Sequence, residues 1–220
     1  MTASQLIEIL WTGLGESVYM TVVATALAYL LGLPIGVVLA VTDKGGIAPC
    51  RPVNAVLGVV VNVLRSIPFI ILLVTVMPFT RAVVGTTLGS TATIVPLVIA
   101  AAPFVGRVVE SSIKEVGSGV IEAARAMGTD NFRIITKVLI PEAKPSLIMG
   151  AAIAITTILS YSAMAGFVGG GGLGAIAINY GYYRYNSQVM LATVAVLVIL
   201  VQVFQEIGIF LAKRLDKRVR

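Results

Sequence analysis

Five stretches of this chain are apolar enough and long enough to cross a bilayer, and that constrains its fold more than any other feature. They cover about 17–41, 53–78, 88–106, 146–166 and 188–212, against the ~20 helical residues that span ~30 Å of hydrocarbon. Inside lipid every backbone polar group must be paired within the segment or within a closed sheet, and stretches of this length do so as helices. Hydrophobic residues make up 58% of the chain and charged ones only 12%, and the mean hydropathy is +1.00. Soluble domains carry about twice that charge. The expectation is an all-α integral membrane protein of about five transmembrane helices, embedded in the lipid bilayer as a single domain over 1–220.

Orientation follows from the basic residues, which collect on the cytoplasmic side. With the N-terminus outside, Lys44, Arg51, the six Lys/Arg from Arg107 to Lys144 and the five from Lys213 to Arg220 are all inside. These are 13 of the 16 basic residues; Arg81 and Arg184 are outside, and Arg65 lies within a span. The first Lys or Arg is Lys44, and Glu8 and Glu16 precede it, so the first stretch reads as a span rather than a secretory signal. Tyr180, Tyr182, Tyr183 and Tyr185 fall at the outer interface, where amphipathic rings settle.

Several functions are excluded at this point. There is no histidine, and Cys50 is the single cysteine, which leaves no disulfide and no multi-cysteine metal site. No G-x-x-x-x-G-K-[ST] phosphate loop and no H-E-x-x-H or G-x-S-x-G motif is present in the sequence, which argues against an enzyme. No cofactor, metal or nucleic-acid partner is expected. Gly169, Gly171 and Gly174 match G-x-G-x-x-G, but a dinucleotide site needs a strand before it. The glycine run reads instead as backbone that bends or packs closely. Gly32 and Gly36, like Gly166 and Gly170, permit close helix contact.

The longest polar stretch, 107–145, carries the most information. Glu110 and Lys114 are spaced to pair along a helix that continues past the membrane. A short helical run over 120–127 follows, with Gly128 placed to end it. Asp130 is placed to cap a second run over 131–139, which Pro141 stops. A two-turn helix is marginal alone, so the first run is held by packing, either on the bilayer as a connector or on another protein.

Glu122-Ala123-Ala124, three residues, Gly128, nine residues, then Val138-Leu139-Ile140-Pro141 resembles the EAA loop of bacterial ABC importer permeases, E-A-A-x3-G-x9-I-x-L-P. Val138 and Ile140 depart from it conservatively. Further stretches, Arg65-Ser66-Ile67-Pro68-Phe69-Ile70, Pro78-Phe79-Thr80-Arg81, Ala102-Pro103-Phe104 and Tyr161-Ser162-Ala163-Met164, resemble the methionine-importing members of that family. The resemblance implies a permease of the bacterial inner membrane whose loop couples to a separate ABC ATPase through Glu122, Ala123, Ala124, Gly128 and Pro141. It also implies two copies of that ATPase, a second copy of this chain and an extracytoplasmic substrate-binding protein. The ATPases, on closing, would draw the coupling helices together and open the path outward. The alternatives are a non-transporting structural subunit of a membrane complex, or a permease for a different small polar substrate.

Candidates for the translocation path come from polar residues inside spans. Asn54, Asn62 and Arg65 fall within about 80° of arc on an ideal helix. A central arginine costs ~3 kcal/mol on insertion scales unless it meets a polar interior or snorkels. Arg65 therefore faces a path or a partner copy, or bonds carbonyls freed by Pro68. Asn62, Arg65, Ser66, Tyr161, Ser162 and Met164 are the path candidates, with helix packing as the alternative for the last three.

Overall fold

A computed structural model describes residues 3–215; Lys217, Arg218 and Arg220 of the expected inner cluster lie outside the described residues. The helices in chain order are α1 (Ala3–Thr42), α2 (Arg51–Ser66), α3 (Phe69–Thr75), α4 (Met77–Val84), α5 (Ser90–Lys114), α6 (Ser118–Ala126), α7 (Asn131–Arg133), α8 (Ile140–Glu142), α9 (Lys144–Ala165), α10 (Gly172–Ile176) and α11 (Ser187–Leu215). A wider π turn, Ile134–Leu139, joins α7 to α8, and another, Ala177–Tyr182, extends α10. Among the described residues there is no strand. Among the described residues four helical segments are long and apolar enough to cross a membrane, or five if the bent pair of α2 and α3 is one span.

The first span is longer than its hydropathy indicates. α1 has 40 residues, about 60 Å at 1.5 Å per residue, and starts at Ala3 rather than near 17. Glu8, Thr12 and Glu16 dilute its first turns, yet Leu6, Ile9, Leu10 and Leu14 on the same helix pack against the buried cluster that contains Leu159, Leu173 and Ile176. Tertiary packing holds helical a segment that hydropathy alone leaves out.

The predicted second span, 53–78, is not one straight helix. α2 and α3 meet at 101°. Ile67 and Pro68 at the corner are extended, with ψ of 123° and 135°, because proline pushes the residue before it out of the α region. The second inner run also differs from expectation. It passes through Pro141 to Glu142, because the π turn ends at Leu139 and Pro141 falls in the first turn of α8, where a missing amide hydrogen costs nothing.

The core is the contact of α1 with α5, the most extensive helix pair in the molecule. Met20, Leu97, Val105 and Val109 are fully buried there, and Ile158 of α9 closes it from a third side. Glycine sets the spacing. A Cβ on Gly32 would stand 2.7 Å from Val105 Cβ and 2.8 Å from the Ala102 carbonyl oxygen; one on Gly36 would stand 2.5 Å from Val109 Cβ and press on the Gly106 carbonyl.

At one end of this pair the 169–172 glycine run is tied to both helices. From α1, the Glu16 carboxylate accepts the Gly172 amide at 2.5 Å and the Ser17 hydroxyl accepts the Leu173 amide at 2.9 Å. From the start of α5, Gly89 N–H donates to the Gly169 carbonyl at 2.9 Å, and the Thr93 hydroxyl lies 3.1 Å from the Gly170 carbonyl. Gly169, Gly171 and Gly172 take φ of 81°, 78° and 71°, a region that side chains disfavour. The run is a tight corner between α9 and α10 with no strand before it.

Gly36→Leu is expected to overpack the seam at a cost of ~1–3 kcal/mol or more, lowering the thermal midpoint of the purified protein in detergent. Gly15→Ala, where a Cβ meets nothing within 4 Å, should leave that midpoint unchanged or slightly higher. Equal midpoints for Gly36→Leu and the wild type would contradict the seam.

Candidate coupling segment and path-lining face

The basic end of the bundle carries a compact segment built from α6 through α8. α5 runs beyond the apolar stretch that ends near 106 and on to Lys114, as the Glu110–Lys114 spacing leads one to expect, and the chain re-enters helix at Ser118 behind Gly117. Ile121 and Ala124 of α6 face the core, with Ala124 only 3% exposed. The α6 stop is a Schellman closure: Thr129 N–H donates to the Ala124 carbonyl at 3.2 Å and Gly128 N–H to that of Arg125 at 2.9 Å. Such closures need a left-handed residue, and Gly128 has φ of 74°. A Cβ there would meet nothing within 4 Å, so glycine is required for conformation and not for space. Asp130 then caps α7, its carboxylate accepting the Arg133 amide at 3.0 Å, and Ile134 and Leu139 anchor the following turn in the core.

The segment leaves three large apolar side chains uncovered. Val120 is 46% exposed, Met127 78% and Phe132 73%. Glu122, Ala123, Arg125, Ala126 and Arg133 are exposed on the same segment, and Pro141 is exposed at α8. The three small residues Ala123, Ala124 and Ala126 do not share one face, since Ala124 turns inward. Phe132 has no signature in the sequence, and its exposure appears only once Asp130 fixes where α7 begins.

Charges link this segment to the span that holds the path candidates. Arg125 donates to the Ile47 carbonyl in the loop after α1 at 2.8 Å. In the same loop Asp43 pairs with Lys114 at 2.6 Å; Lys114 pairs with Glu110 at 2.8 Å, and Glu110 with Arg107 at 2.7 Å. Arg107 reaches α2, donating to Asn62 Oδ1 at 2.7 Å and to the Gly58 carbonyl at 3.2 Å. The Lys114 ammonium, bonded to Asp43, holds that carboxyl below its usual range. The contact therefore persists above the ordinary carboxylate pKa and fades only as pH falls through the lowered one. No cluster of three His, Cys, Asp or Glu side chains suited to a metal ion occurs among the described residues.

The path candidates separate into two groups. Asn62, Arg65 and Ser66 are exposed on α2; the Arg65 guanidinium lies 5.9 Å over the Phe104 ring rather than on carbonyls near Pro68, and the Ser66 hydroxyl donates to the Asn62 carbonyl at 2.8 Å. Asn54 instead turns to α1, donating to the Leu39 carbonyl at 2.8 Å. Tyr161 of α9 stacks on Phe69, centroids 4.7 Å apart and planes within 3°, so the start of α3 is fixed on α9. Met164 is 47% exposed. Ser162 is 2% exposed and donates to the Leu159 carbonyl of its own helix, apart from the others. α9 is apolar all round, and its sequence does not say which way a serine turns.

Residues 32–220 match the family model described as "Binding-protein-dependent transport system inner membrane component". The chain is 48% identical over 211 residues to the "Probable D-methionine transport system permease protein" of Vibrio cholerae serotype O1, covering 96% of this chain and 94% of that one. It is 47% identical over 154 residues to the "D-methionine transport system permease protein" of Escherichia coli (strain K12), covering 70% and 71%. In structure it resembles a chain of the MetNI methionine ABC transporter in inward-facing conformation, with a TM-score of 0.96 at 44% identity over 99% of this chain and all of that one.

A Cβ in the left-handed region costs ~1–2 kcal/mol. Gly128→Ala should therefore speed amide hydrogen exchange over 123–133 while leaving α9 unchanged, and Gly128→Asn should do so less. Equal protection in Gly128→Ala and wild type would remove the conformational role of this glycine.

Proposed function

This chain belongs to the family of binding-protein-dependent transport system inner membrane components, and on that premise we propose that it is the permease subunit of an ATP-driven methionine importer. Its relatives named as D-methionine permeases span nearly the whole chain, which supports methionine as the cargo. The sequence has no phosphate loop, so hydrolysis belongs to a separate ATPase subunit. The working unit is two copies of this chain with two ATPases, served by an extracytoplasmic binding protein. Residues 1–220 act as one membrane domain.

One observation carries the coupling role: the exposure of Val120, Met127 and Phe132 on a segment closed at Gly128 and capped at Asp130. Exposed apolar residues ringed by charge mark a site of protein contact. Glu122, Ala123, Ala124, Gly128 and Pro141 shape that segment for the ATPase. Asn62, Arg65 and Ser66 form the polar side of the path on α2, where an intramembrane arginine is tolerated. Tyr161, with Phe69, and Met164 form its apolar side, and Ser162 steadies α9. The N-terminus is outside and the C-terminus cytoplasmic, as the placement of basic residues supports.

Proteoliposomes holding this chain, its ATPase and the binding protein should accumulate labelled methionine only with ATP. Gly128→Leu and Ala123→Glu should leave the permease inserted but weaken ATPase co-purification and reduce uptake at least tenfold, since an unpaired charge at a desolvated contact costs several kcal/mol. Both variants retaining the ATPase and full uptake would leave the segment a mere connector. A C-terminal reporter active only in the periplasm would overturn the orientation.

A further inference from the structure

The row of charges from Asp43 to Arg107 does more than neutralise buried ions. Its four members alternate in sign along 2.6, 2.8 and 2.7 Å contacts, so the row is neutral overall. The Glu110 carboxylate at its centre is only 10% exposed and is held between two cations. The row leaves α5 at both ends. At one end Asp43 sits in the loop that Arg125 of α6 grips through the Ile47 carbonyl. At the other, the Arg107 guanidinium forks, with Nη1 on Glu110 and Nη2 on Asn62 and the Gly58 carbonyl of α2. The planar guanidinium holds its donors in a fixed fork that spans both helices, a geometry the compact ammonium of a lysine does not reproduce. Asn62 lies one turn before the 101° corner at Ile67 and Pro68, and its carbonyl holds Ser66.

We propose that Arg107, Glu110, Lys114 and Asp43 are positioning residues for transport: they tie the coupling segment to the path-lining face of α2, so that movement of α6 is delivered to Asn62 and the corner beyond it. This rests on the importer reading above and adds to it the route by which coupling reaches the path. A tight contact network between two sites is a physical route only if both sites bias it, and a double-mutant cycle measures that directly.

The experiment uses the full complex in proteoliposomes and reads methionine uptake per ATP hydrolysed in Arg107→Lys, Asn62→Ala and the double variant. Arg107→Lys keeps a positive charge beside Glu110, and Asn62→Ala leaves the ionic row intact, so both spare the fold. Each single variant should lower uptake per ATP roughly tenfold, Arg107→Lys with ATPase activity retained, and the double variant no further than either alone, a coupling within the range such networks carry. Multiplying losses in the double variant, parallel loss of ATPase and uptake, or an unchanged ratio in Arg107→Lys each overturns the proposal. A wild-type complex without ATP-driven uptake overturns the importer reading itself, and the proposal with it.

Discussion

The close approach of α1 and α5 is the constraint on which the rest of the molecule depends. Gly32 and Gly36 bring the α1 backbone against Ala102, Val105, Gly106 and Val109. In lipid there is no hydrophobic drive between helices, so close van der Waals packing at small residues must supply the attraction. Once that register is set, both ends of the pair become platforms. At one end Glu16, Ser17, Gly89 and Thr93 converge on the glycine corner; at the other, Asp43 meets Lys114. A slip of one residue along the seam would undo both.

Charge placement in this protein follows the same economy. Inside a membrane protein a lone ion is costly, while breaking a buried pair leaves an uncompensated one behind. Here Arg107 and Glu110 are one helical turn apart and Lys114 one turn further, so a single face of α5 carries its own counter-ions. That face extends to α2 through Asn62, on a helix that also exposes Val53, Val56, Val59, Val60 and Val63. The broken α2–α3 pair makes fewer contacts with the bundle than α1, α5 or α9 do. It is fixed at Arg107, at Phe104 and at the Phe69–Tyr161 stack.

Much of this was legible in the sequence wherever the signal was local. The Glu110–Lys114 spacing, the stop at Gly128 and the cap at Asp130 each depend on neighbours within five residues, and each has the expected geometry. The early start of α1 was hidden because Glu8, Thr12 and Glu16 lower its hydropathy, while the packing that compensates comes from residues more than 150 positions away. Pro68 holds Ile67 extended, but an apolar run read as one span conceals the corner within it. Asp43, Arg107 and Asn62 sit on three elements, and no spacing brings them together. The inward turn of Ala124 and the outward turn of Phe132 likewise depend on how α6 and α7 lie on the core.

The central claim is that the segment from Ser118 to Glu142 receives an ATPase subunit on the apolar surface around Met127. The most direct measurement places a photo-crosslinking side chain at Met127 in native membranes, with a second at Leu30, which is 70% exposed on α1 within its apolar span. The account predicts that the Met127 probe captures the ATPase in high yield and that the Leu30 probe does not. Capture of lipid alone from Met127, in membranes where the ATPase is present, would contradict it.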